Sequence, residues 1–87
     1  MFDEVMKDVI TLLKQNGVAY EGIIAMVDSQ EIHIQLNRNA NLPPIERGDM
    51  FQYNQSNGIT EQYQVLDPCY YDDDVFGKHY QCKVIKF

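Results

Sequence analysis

The sequence predicts an α+β fold, with an N-terminal helix packed on five antiparallel strands that close into a small barrel or a strongly curled sheet. Three observations predict it. The hydrophobic period changes near Gly17, from about 3.6 residues before it to about 2 after it. Turn-forming groups (Asp28-Ser29-Gln30, Pro43-Pro44, Asn57-Gly58 and Asp67-Pro68) cut the alternating part into short segments. A chain of 87 residues makes one domain with one small core.

Residues 3–15 read as the helix. Phe2, Val5, Met6, Val9, Leu12 and Leu13 share one face, Asp3 can cap the N-terminus, and Glu4 lies in the first turn where the dipole favours negative charge. Lys14 falls in the last turn and Gly17 supplies the left-handed stop. So short a helix is marginal alone, so its apolar face must dock on something. Strand 20–27 is the expected dock, because it is apolar on both sides. Ile23, Ala25 and Val27 are expected to lie under the helix, with Ile24 and Met26 facing the opposite interior.

Strand 31–37 alternates cleanly: Ile32, Ile34 and Leu36 point in, while His33, Gln35 and Asn37 point out. A loop leads to Ile45, an apolar anchor followed by a tight turn at Arg47-Gly48-Asp49. Strand 49–54 then presents Phe51 and Tyr53. Asn57-Gly58 is a hairpin signal, and strand 59–66 places Ile59, Tyr63 and Val65 on one side, with Glu61 interrupting them. Asp67-Pro68 ends that strand, since proline cannot donate to a ladder. Residues 69–78 read as a loop, and strand 79–86 buries Tyr80, Cys82 and Val84. Five short strands leave two open edges, and curling into an SH3-like barrel removes most of that exposure.

Thirteen acidic and seven basic residues leave a net charge of −6. That sign opposes binding to a phosphate backbone, which needs clustered Lys and Arg, so no nucleic-acid partner is expected. An acidic surface keeps a small domain soluble and can steer basic partners. The chain has no run of 18 apolar residues, so no membrane partner is expected. Its acidic start, Met1-Phe2-Asp3-Glu4, is unlike a secretory signal, so a cytoplasmic location is expected. Cys69 and Cys82 are then expected as free thiols.

Chemistry-bearing motifs are sparse. Cys69, His79 and Cys82, with His33, are the only zinc-type ligands, but His79 and Cys82 differ by three along a strand and should face opposite ways. Asp72-Asp73-Asp74 lacks the alternation, glycine and terminal Glu of a calcium loop. No nucleophile elbow, zinc helix or glycine-rich phosphate loop is present, so no catalytic residue, metal or cofactor is expected, and the chain does not read as an enzyme. The suggestive group is Tyr70, Tyr71, Asp72, Asp73, Asp74 and Phe76. Aromatic residues beside aspartates make a candidate protein-contact loop, unless the rings fold back as a lid on the barrel.

The run Leu42-Pro43-Pro44-Ile45-Glu46-Arg47-Gly48-Asp49, followed by Asn57-Gly58-Ile59, Glu61, Tyr63-Gln64-Val65-Leu66-Asp67-Pro68 and His79-Tyr80-Gln81-Cys82-Lys83-Val84, resembles a family of small uncharacterised bacterial proteins. Their pattern is P-I-E-x-G-D … N-G-L-x-E-x-Y-x-V-x-D-P … H-Y-Q-V-K-V. Similarity also reaches Asp8 to Lys14 and Tyr20 to Ile23. Pro44 beside Pro43, and Cys82 in place of an aliphatic residue, depart from it. The resemblance implies a gene carried in bacterial chromosomes and mobile elements and brings no catalytic residue. In layout the chain is also similar to small head–tail joining proteins of tailed phages, an architectural analogy.

The resulting expectation is a non-catalytic protein-interaction module encoded on a bacterial mobile element, with an unidentified protein partner. Pairing of an exposed edge strand with its copy would give a homodimer. The alternatives are an acidic inhibitor or immunity-like protein that neutralises a basic toxin or nuclease, a phage-type structural joining protein, and an enzyme or small-ligand binder using a shallow cleft.

Overall fold

Val9, Ile10 and Thr11 are three β-branched residues in succession, a run that loses rotamer freedom in a helix and packs well in a strand. In the computed structural model, which describes residues 8–39, 42–55, 57–75 and 77–87 and only the backbone of Asp73, they lie in strand β1 (Asp8–Leu13). The remaining strands are β2 (Ala19–Val27), β3 (Glu31–Gln35), β4 (Met50–Asn54), β5 (Thr60–Asp67), β6 (Tyr70–Asp73) and β7 (Gly77–Lys86). Every pairing is antiparallel. The order β3-β2-β1-β4-β5-β7 closes on itself through β3 and β7, giving a six-stranded barrel, with β6 added outside on β7.

The α+β expectation is therefore corrected to an all-β fold. Among the described residues the only helical piece is a 3₁₀ turn, Leu36–Arg38. No helix spans 3–15: the part from Asp8 onward is β1, and residues 3–7, including the Asp3 cap, lie outside the described residues. Burial separates the two readings. Ile10 is 2% exposed and Leu12 is buried, whereas Val9, on the expected helical face, is 57% exposed. Gly17 is not a helix stop but part of an Asn-Gly hairpin turn, with φ +91°. Its N–H donates to Lys14 O at 2.9 Å, and Val18 N–H donates to Asn16 Oδ1 at 3.0 Å.

Strand β2 is covered by the barrel rather than by a helix. Ile23 and Ala25 are buried inside the barrel, while Ile24 and Met26 lie half-buried on its outer side. Between Ile10↔Ile23 and Leu12↔Tyr20 the register gains a residue on β2. Gly22 occupies that bulge at φ +75°, which bends the strand so that its first part pairs with β1 and its end with β3. Asn39 then stands in for a neighbouring strand: its Oδ1 accepts from Ile24 N–H at 2.8 Å and its Nδ2 donates to Ile24 O at 3.1 Å.

The core comprises Ile10, Leu12, Ile23, Ala25, Ile32, Ile34, Ile45, Phe51, Tyr63, Val65, Tyr80, Cys82 and Val84. Among the described residues between β3 and β4, Ile45 is the one buried in the core, with Leu36 and Leu42 packed against it, and Tyr80 Oη accepts from Ile45 N–H at 3.3 Å. Lys14 clamps the same segment from the first hairpin. Its Nζ donates to Pro44 O at 2.7 Å and Glu46 Oε1 at 2.9 Å, and it meets Asp49 Oδ2 at 2.5 Å. Asp49 is fully buried and its Oδ2 also accepts from Glu46 N–H at 2.8 Å. The turn into β4 is thus built around one buried ion pair.

Candidate functional site

The segment expected as a loop over 69–78 is mostly strand. Leu66 adds an extra residue to β5 opposite β7, and the chain turns at Pro68-Cys69, where Cys69 holds φ 46°, an unusual value for a residue with a Cβ. Cys69 N–H donates to Asp67 Oδ1 at 3.1 Å, which steadies the corner. The chain resumes as β6, which lies along the first half of β7 with the register Tyr70↔Tyr80, Tyr71↔His79, Asp72↔Lys78 and Asp73↔Gly77.

This hairpin brings together Tyr70, Tyr71, Asp72 and Asp74 of the six expected contact residues, with the backbone of Asp73 among them. Phe76 and the Asp73 side chain lie outside the described residues. Tyr70 is 48% exposed and its ring meets Tyr80 edge-on, with centroids 5.1 Å apart. Tyr71 is 47% exposed and stacks on His79 at 5.5 Å. Each ring is held against a residue of β7 and is about half exposed. Asp72 and Asp74 are exposed.

His79 was expected to be exposed; it is 1% exposed instead. Tyr71 covers it from β6, its Nδ1 lies 2.9 Å from Gly77 O, and its Nε2 lies 3.3 Å from Gln81 Nε2. A carbonyl accepts, so Nδ1 carries the proton and Nε2 accepts from Gln81. The ring is a support for Tyr71. Alternation alone could not place it, because its cover comes from another strand.

Several other titratable groups are joined to the scaffold. Burial opposes the charge on Lys14, but hydrogen bonds and attraction from Asp49 and Glu46 outweigh it and raise its pKa. A hydrogen bond from Lys86 and one from Gln55 hold Glu61 below the usual carboxylate range. Glu61 also accepts from Tyr63 Oη, at 3.0 Å. Burial first, then that carboxylate, pushes Tyr63 up to about 12. Tyr53 Oη donates to Asp8 Oδ1 at 2.9 Å, and this bond raises its pKa. Both cysteines are free thiols, and burial drives buried Cys82 up to about 12.

Among the described residues, no three His, Cys, Asp or Glu side chains converge as metal ligands, and no helix is long and apolar enough to cross a membrane. A cleft of about 420 Å³ lies between the β2 bulge and the segment after β3, lined by Tyr20, Glu21, Gly22, Arg38, Asn39 and Leu42 among others. No family model, curated protein or solved structure matches the chain.

Proposed function

We propose that this chain is a non-catalytic protein-interaction module of the cytoplasm, built on an SH3-like barrel and contacting its partner through the β6–β7 hairpin. The observation that carries the reading is the pair of half-exposed rings, Tyr70 and Tyr71, each braced by a residue of β7. Tyrosine contributes contact area at low entropic cost, and bracing lowers that cost further. The ion pairs and hydrogen bonds of Lys14, Asp49, Glu61, Tyr63 and Lys86 support the non-catalytic part, since those groups hold the barrel together. A mobile-element gene, as the resemblance implies, fits a partner encoded nearby.

The test is co-purification from source cells, identification of the companion protein and titration of the purified pair. Tyr70→Ser with Tyr71→Ser should weaken binding at least about tenfold while the chain stays folded, because central aromatic contacts dominate such interfaces. Unchanged affinity would remove the hairpin from the interface. A metabolite or nucleotide that raises the unfolding temperature through the β2 cleft would replace the reading with a small-ligand binder.

A further inference from the structure

Among the described strands, β6 lies outside the closed barrel and pairs along one side only, with β7. Gln81 N–H donates to Cys69 O at 3.0 Å, which makes Cys69 and Gln81 a hydrogen-bonded pair. Antiparallel ladders alternate hydrogen-bonded and non-hydrogen-bonded pairs. Tyr70–Tyr80 and Asp72–Lys78 are therefore non-hydrogen-bonded across β6 and β7. On β7 the outward groups of alternate residues meet β3: Ile34 lies opposite Tyr80, and Val84 N–H donates to Gln30 O at 3.0 Å. On β6 the corresponding N–H and C=O groups of Tyr70 and Asp72 point to the far edge, where no described strand pairs.

Such an edge is a template for another strand. Tyr70 and Tyr71 stand on opposite sides of it, and the carboxylates of Asp72 and Asp74 are exposed close by. A second copy of the chain is a poor occupant, because β6 against β6 brings two Asp72-Asp73-Asp74 runs together and like charges across a ladder are unfavourable. A strand bearing Lys or Arg satisfies both the backbone and the carboxylates.

We infer that the far edge of β6 takes up an extended, lysine- or arginine-bearing segment of a partner protein as an added strand. The inference deepens the interaction-module reading and rests on it. Three consequences follow from the geometry: recognition uses backbone hydrogen bonds at Tyr70 and Asp72, depends on positive charge in the partner, and weakens with salt.

The full chain, labelled with ¹⁵N, is titrated with three blocked peptides. One alternates lysine and threonine, a second replaces lysine with glutamate, and a third is the lysine peptide with alternate backbone nitrogens methylated. The lysine peptide should shift the Tyr70 and Asp72 amide resonances saturably, with affinity falling at least about tenfold from low to high salt. The glutamate and methylated peptides should leave those resonances in place. Asp72→Pro removes an N–H that faces the open edge, so the spectrum should keep its dispersion while the lysine peptide no longer shifts the Tyr70 amide. No saturable shift at these amides, or equal binding by the methylated or glutamate peptide, would overturn strand addition. The two readings separate on the purified partner: affinity lost in the double tyrosine variant but kept in Asp72→Pro supports the module and rejects the added strand.

Discussion

Lys14 carries more of this fold than its surface-type side chain suggests. Its ammonium ties the first hairpin to the Pro44–Asp49 segment, and Asp49 has no exposure to water. Replacing Lys14 with Met leaves that carboxylate buried without its cation, and such a loss costs about 3 kcal/mol of stability. Lys14→Met combined with Asp49→Leu should lose less than Lys14→Met alone, because the uncompensated charge is then removed; urea unfolding of the two variants measures the difference. Alkaline pH acts on the same scale. Tyr63 and Cys82, each raised to about 12, stabilise the fold fully below their unfolded values and lose that contribution as pH rises through the folded ones. Lys14, also raised, follows the same sign. Unfolding free energy should therefore fall steadily from about pH 9 towards 12, where unfolded thiols and then phenols and amines ionise. A flat profile over that window would contradict the burial of Tyr63 and Cys82.

At the scale of elements, the first described segment shows why two periods can be confused. Over six residues, Leu12 fits either a helical face or the inside of a strand, and only Val9 and Ile10 separate them. Ile10→Ala should cost roughly 2–4 kcal/mol, the usual loss for a core aliphatic residue, whereas Val9→Ser should cost less than about 0.5 kcal/mol. Thermal unfolding of both variants checks this, and the reverse ranking would restore the helical face. Two local signals already pointed to a strand: the β-branched run Val9-Ile10-Thr11, and Asn16-Gly17, the same dipeptide chemistry read correctly as a turn at Asn57-Gly58. The candidate site was legible in part. Tyr70, Tyr71, Asp72 and Asp74 could be grouped from sequence because they are near neighbours in the chain. Their being a strand edge could not, since β6 is short, has exposed side chains, and owes its conformation to pairing with β7.

Over the whole molecule, closure depends on β3 meeting β7, residues more than forty positions apart in the chain. Such non-local pairing must be formed against loop-closure entropy, so folding should take milliseconds to seconds, as in other small β-barrels. Stopped-flow refolding measures it, and complete folding in microseconds would be incompatible with closure being limiting. Among the described strands, closure leaves β6 outside the barrel, paired with β7 on one side only. The net charge of −6 is a property of the entire surface, and Asp72 and Asp74 place part of the acidic charge beside the far edge of β6.

By itself the sequence determined strands near β2, β3, β4, β5 and β7, most of their turns and much of the core, because alternation over five or more residues and proline or Asn-Gly punctuation are local signals; β6 reads as a loop. Phe51, Tyr63, Val65, Tyr80, Cys82 and Val84 were all placed inside from their spacing alone. The tertiary structure settled the competing periods at Asp8–Leu13 in favour of a strand, and it alone decided that His79 is covered, that Lys14 reaches Asp49 and that β6 pairs on one side only. Each depends on a partner in another element, from Tyr71 of the neighbouring strand over His79 to Asp49 for Lys14. A short segment takes the conformation that its neighbours in space can pair with and bury, and local spacing does not carry that information.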